Sequence, residues 1–268
     1  MRRAFTVIEL LVAIGIIGVL LAILLPATER VRHRAYIDKC ASNLQQIGVA
    51  LSIYENENHG AWPRTVYNAT TANAPAKGTG VTAADPFVAG STVLPNDLTA
   101  GLFLLMRAER LPPVLFICPY NDETNFHADS ADLTGRSNFT DQRANLAYSF
   151  ANPYPTAAAA KAGYVLNSRL PAAFPIGADK NPGRGEGNDD VYAVRPNSGS
   201  SDMELGNSPN HEREGQNVLY ADGHVKYELT PFVGIGQDNI YTAKNGFAPV
   251  VEQSPADATD SVLLPTDD

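Results

Sequence analysis

A single carboxylate, Glu9, stands inside the apolar run Val7–Leu25, where no other side chain ionises. An acid held at mid-membrane costs on the order of 2.5 to 3.5 kcal/mol, and somewhat less near an edge. Something must offset that cost. One answer is snorkelling to a nearby interface, which one helical turn of depth permits. The other is an ion pair inside an assembly, because a buried carboxylate and a buried ammonium each become tolerable when paired.

The remaining reactive side chains form no recognisable catalytic set. His59, His127, His211 and His224 are scattered, without the spacings of a zinc site or a nucleophile triad. No enzyme is therefore expected, and His224 reads as an exposed strand residue beside a turn. The stretch "DKNPGRGEGNDD", residues 179–190, has acids and glycines that could hold calcium. It lacks the regular ligand pattern of a calcium loop, so a solvated loop competes with that reading, and no other metal or cofactor is expected. The two cysteines, Cys40 and Cys118, can form a disulfide if the domain faces an oxidising compartment, or stay as two buried apolar thiols. Trp62 and the eleven tyrosines show no stacking-platform spacing.

These residues must be positioned by a long helix and the domain that follows it. Val7–Leu25 is 19 residues, too long for a secretory signal core of roughly 7 to 15. At about 1.5 Å per residue it reaches nearly 30 Å, one hydrocarbon thickness. It is apolar on every side, as a membrane span is and an amphipathic core helix is not. Pro26 removes a backbone donor just past the run, which kinks the helix or ends it at the membrane surface. Beyond it Cys40, Leu44, Ile47, Leu51 and Tyr54 recur at spacings of 4, 3, 4 and 3, a helical stripe. Polar Asp38, Lys39, Ser42, Asn43, Gln45 and Gln46 lie between them. One helix thus serves two solvents, and from Phe5 to Tyr54 it would span about 75 Å. "NENHG", residues 56–60, supplies its stop.

More than 200 residues follow, enough for one domain with a sizeable core. The chain carries a net charge of −9, and residues 40–268 hold 14 basic against 26 acidic residues, a net −12. An acidic domain is poorly suited to phosphate backbones, so nucleic acid is not an expected partner. Residues 68–92, rich in Ala, Thr and Gly, read as an irregular loop, as does the glycine- and acid-rich stretch 177–210. "LTAGLFLLMRAERLPP" predicts a short core helix from Leu98, and "VLFICP" a buried strand braked by Pro119. "NVLYADGHVKYEL" predicts a hairpin turning on Asp222 and Gly223. In a two-residue turn Ala221 faces His224, Tyr220 pairs with Val225 and Val218 with Tyr227. Those last four share the buried face, while Leu219 and Lys226 share the other. The amphipathic half of the long helix is the expected platform.

Arg2-Arg3-Ala4 followed by "FTVIELL" resembles the class III signal of type IV pilins and type II secretion pseudopilins. That resemblance implies cleavage by a prepilin peptidase between Ala4 and Phe5, with methylation of the new amino terminus. Ala4 stands where the family more often has glycine. Glu9 matches the acid that neutralises the amino terminus of a neighbouring subunit, and Pro26 matches a proline of the family's long helix. The segments "CASNLQQIGVALSIYENENHGAWP", "FICP" and "HEREGQNVLYADGHV" resemble a branch of large pseudopilin-like proteins marked by a histidine followed, nine residues on, by Asp-Gly. Here ten residues separate His211 from Asp222, which leaves His211 without an assigned role.

The resemblance implies an α+β pilin fold, a long N-terminal helix packed by its second half on an antiparallel sheet. It divides the chain into a leader (1–4), a membrane and assembly helix (5–25), its amphipathic continuation (26–55) and an extracytoplasmic domain (56–268). It further implies a single-pass protein of the inner membrane with a periplasmic domain. Its partners would be prepilin peptidase, copies of itself or other pseudopilins, and the assembly platform of a secretion system. Charge counting points the other way, since Arg30, Arg32, Arg34 and Lys39 follow the span and only Arg2 and Arg3 precede it. Two alternatives stay open: a subunit of a type IV or competence pilus, and a monomeric membrane-anchored binding protein for a carbohydrate or secreted substrate. A plain anchor would gain nothing from Glu9.

Overall fold

In the computed structural model, the structure describes residues 6–71, 76–78, 80, 85–87, 93–120, 130–183, 192, 194–243 and 253–266. A helix of 51 residues, α1 (Val7–Glu57), runs without interruption through Pro26. This excludes a helix end at the proline. The span is about 76 Å at 1.5 Å per residue. Asn58 caps it, and the end is fixed from outside: Glu55 accepts the indole N–H of Trp62 at 3.2 Å and the backbone N–H of Ser168 at 2.6 Å.

The helix divides by burial where its composition divides. Every large apolar side chain from Val7 to Leu25 is at least half exposed. From Ile37 onward one face turns inward, burying Ile37, Cys40, Leu44, Ile47, Ala50 and Leu51. That face docks on a five-stranded antiparallel sheet of order β4-β3-β2-β1-β5. Its strands are β1 (Tyr148–Ala151), β2 (Pro175–Asp179), β3 (Gln216–Tyr220), β4 (Val225–Glu228) and β5 (Leu263–Leu264). The α+β architecture and the helix-on-sheet arrangement are therefore those the sequence predicts. At Gly48 the helix and β3 are in close contact, and a Cβ there would stand 3.0 Å from a methyl carbon of Leu219.

A second helix, α2 (Leu98–Ala108), packs beside α1 and buries Leu98, Leu102, Phe103, Leu105 and Met106. Asp97 starts it by accepting the Ala100 N–H at 2.9 Å. Four shorter helices, α3 (Ser130–Gly135), α4 (Gln142–Asn145), α5 (Ala157–Lys161) and α6 (Ser200–Gly206), occupy the connections.

Three expectations need correction. "VLFICP" is no strand: Pro113–Phe116 form a 3-10 turn. Pro112 and Pro113 fix φ and offer no N–H to a ladder, so the chain tightens there. The stretch 177–210 is less irregular than its glycines suggest, because its first three residues complete β2 and Ser200–Gly206 form α6.

The hairpin is displaced by one residue. Leu219 pairs with Val225, Val218 with Lys226 and Asn217 with Tyr227. The cause is a three-residue loop, Ala221–Gly223, closed by the Tyr220 N–H donating to the His224 carbonyl at 2.9 Å. A two-residue turn of the predicted kind needs positive φ at both Asp222 and Gly223. Only Gly223 adopts it, at +87°. A slip of one residue exchanges the faces of the pairing, and it places Leu219 against α1 rather than with Lys226.

Candidate assembly site

The N-terminal turn of α1 is held by its own side chains. The Thr6 hydroxyl accepts the Glu9 N–H at 3.3 Å, while Glu9 Oε2 accepts the Thr6 N–H at 2.9 Å and the Thr6 hydroxyl at 2.8 Å. This is a capping box, satisfying helix-end donors reciprocally. It gives Glu9 a role within the chain that the sequence analysis passed over. Thr6-x-x-Glu9 before an apolar run was its available signal. The cap does not require a negative charge, because glutamine serves at the same position. Ala4 and Phe5 lie outside the described residues. At Pro26 the missing N–H is accompanied by a side-chain bond spanning the proline, the Thr28 hydroxyl donating to the Leu25 carbonyl at 2.8 Å.

Where α1 meets the domain, the fold gathers residues from five places in the chain. Cys40 Sγ on α1 lies 2.9 Å from Cys118 Sγ, and both side chains are buried as free thiols. Ile117, which carries Cys118 into this position, accepts Asn43 Nδ2 and the Tyr148 hydroxyl at its carbonyl, each at 3.3 Å. Contact with Cys118 and burial both push the Cys40 thiol far above its ordinary range, so it holds its proton.

His211 completes this group, with Nε2 3.9 Å from Cys118 Sγ and 3.7 Å from Asp179 Oδ2. Burial, assisted by nearby His33, lowers its pKa to about 4, leaving a neutral ring. Its backbone is in the left-handed region at φ 56°, followed by Glu212 and Arg213, both at 61°. Such a conformation costs roughly 1 to 2 kcal/mol per L-residue, so the surroundings must enforce it. Asn210 Nδ2 donates to the Ala147 carbonyl at 2.9 Å, and Asn207 Nδ2 to the carbonyls of Arg213 at 3.1 Å and Leu229 at 3.0 Å. Sequence reasoning gave His211 no role, and the one-residue insertion before Asp222 removed the signal that singles it out.

The other candidates stay apart from this group. Asp222 and Gly223 form the hairpin tip, Asp222 exposed and Gly223 half-buried. His224 is also exposed, stacked on Tyr220 with ring centroids 4.5 Å apart and with Nδ1 on the Asp222 carboxylate. Hydrogen bonds from His224, the backbone one first, lower the Asp222 pKa. In the stretch considered for calcium, Asp179 is fully buried in β2, accepting Asn217 N at 2.7 Å and Asn217 Nδ2 at 3.0 Å. It thus faces the core rather than a loop, while residues 184–190 lie outside the described residues.

Comparison with known proteins bears on the N-terminus first. The family described as the prokaryotic N-terminal methylation motif matches residues 1–25. The chain is 28% identical over 111 residues to the type IV major pilin protein PilE1 of Neisseria gonorrhoeae, covering 41% of this chain and 67% of that one. No solved structure matches. Among the described residues α1 is long and apolar enough to cross a membrane, compatible with a single-pass anchor. The N-terminus thus carries the methylation motif, part of the chain is similar to a type IV major pilin, and the far half of the same helix carries an antiparallel sheet.

Proposed function

We propose that the protein is a structural subunit, cleaved by prepilin peptidase between Ala4 and Phe5, methylated at Phe5, and assembled into a periplasmic pseudopilus linked to type II secretion. The observation that carries this reading is the helix half from Val7 to Leu25, apolar on all sides and untouched by its own domain, preceded by a methylation motif. Such a surface needs lipid or other copies of itself to cover it. In the membrane it serves as anchor; in a filament the same side chains pack between subunits, with the acidic domain outside. Glu9 then neutralises the amino terminus of a neighbour, and its partners are other subunits, the peptidase and the assembly platform of the inner membrane. The wording of the three downstream segments and the size of the domain favour the pseudopilus. The similarity to a major pilin favours a type IV pilus as the second reading.

The capping box supplies the test. Glu9→Gln retains an acceptor for the Thr6 N–H and removes only the charge. If Glu9 pairs with a neighbour's ammonium, Glu9→Gln abolishes crosslinked multimers in membranes and filaments in shear fractions. Its level and its cleavage at Phe5, read by the mass of the N-terminal peptide, should stay as in the parent. Multimers that persist in Glu9→Gln would reduce Glu9 to a helix cap. A mature chain that still begins at Met1 would remove the processing step.

A further inference from the structure

We propose that Cys40 and Cys118 join as a disulfide that fastens the far half of the filament helix to the globular domain. The two sulfurs belong to segments 78 residues apart yet stand 2.9 Å from each other. Carbon atoms in contact settle about 3.5 to 4.0 Å apart, and sulfur is larger, so the pair is placed for a bond rather than for packing. A shared metal fits less well. Two thiolates bound at about 2.3 Å to one tetrahedral zinc stand about 3.8 Å apart.

The position is mechanically apt. Cys40 is in the first buried turns of α1, just after the exposed half ends, and Cys118 leads directly from the 3-10 turn that packs on the helix. A pull along the filament helix reaches this contact within about two turns of His33 and Ile37, the first residues that touch the domain. Without covalent help it is resisted by apolar packing and by side-chain hydrogen bonds such as Asn43 Nδ2 to the Ile117 carbonyl and Asn217 Nδ2 to the Ile37 carbonyl.

Both sulfurs are inaccessible once the domain has closed, which orders the chemistry. The Cys40 thiolate first attacks a small disulfide of the glutathione class, giving a mixed disulfide and releasing one thiolate. As α1 docks, Cys118 gives up its proton to water and comes within reach of the mixed disulfide. The Cys118 thiolate then attacks the Cys40 sulfur of the mixed disulfide, the Cys40–Cys118 bond forms, and the second thiolate leaves and takes up a proton. Two protein thiols have been oxidised and one external disulfide has been reduced to two thiols.

This inference rests on the outward-facing location proposed above, and the test separates the two. Full-length protein extracted from cells is denatured and alkylated with N-ethylmaleimide, with and without prior reduction. The expected result is no adduct before reduction and two after it. Reductant should lower the Tm of the folded protein by about 10 °C, as expected for opening a loop this long, and should leave Cys40→Ala and Cys118→Ala unaffected. Thiols that are free in cells yet close when the protein refolds in a glutathione redox buffer support the pairing, and overturn the outward location instead. Two adducts that persist after refolding in the same buffer overturn the disulfide, as do adducts that appear without reduction once a zinc chelator is added.

Discussion

His211 is uncharged near neutrality because burial, together with His33, holds its pKa at about 4 against an ordinary 6.5. Asp179 and Cys118 face the ring across 3.7 and 3.9 Å, and that opposing carboxylate does not outweigh the loss of water. The unfolded chain binds a proton at this residue below about pH 6.5, whereas the folded one resists until about pH 4. Stability associated with the neutral ring is therefore complete above pH 6.5 and is lost as the pH falls toward 4. Thermal melts between pH 7 and 4 should show Tm falling more steeply for the parent than for His211→Gln, and parallel profiles would sink the idea. None of this was legible along the chain. The partners of His211 lie 93 residues away at Cys118 and on α1, and long-range convergence leaves no periodic trace. Glu9 was the opposite case. Its burial cost and its capping partner are both local, so both are written in residues 6–25.

At the scale of elements, legibility followed the strength of the pattern. The stripe Cys40-Leu44-Ile47-Leu51 specifies which face of α1 is buried, and that face docks on the sheet. The hairpin strands were equally visible, but their register depended on whether Asp222 takes a positive φ, a choice of turn that Asp-Gly alone leaves open. "VLFICP" has the apolar character of a strand, but Pro112 and Pro113 before it decide for a 3-10 turn. The close contact of α1 with β3 also had a signal, Gly48 in the middle of a helical stripe, where glycine otherwise costs about 1 kcal/mol relative to alanine. Its reason is Leu219, which occupies the space a side chain would take. Gly48→Leu should lift the helix from the sheet and cost about 2 kcal/mol of stability by overpacking, a fall in Tm of about 4 to 8 °C. An unchanged melting curve would mean that the helix and sheet are not held at this spacing.

The whole molecule is two bodies on one helix, and the division can be tested by cutting between them. Burial on α1 begins in earnest at Ile37, and among the described residues the apolar half makes no hydrogen bond or ion pair with the domain. The first side chain to reach across is His33, whose Nδ1 stands 4.0 Å from a Glu214 carboxylate oxygen and whose ring lies 5.2 Å from that of Tyr120. A chain beginning at Glu29 therefore keeps every buried contact of the domain and sheds only surface that lipid or sister subunits would cover. It should be soluble without detergent, run as a monomer, and melt within about 2 °C of the full-length protein in detergent, since nothing that stabilises the fold has been removed. It should also fail to enter crosslinked multimers in membranes, because it lacks both the apolar surface and Glu9. A truncated chain that unfolds would show that the exposed half supports the domain. One that still assembles would move the subunit interface from the apolar helix to the acidic domain.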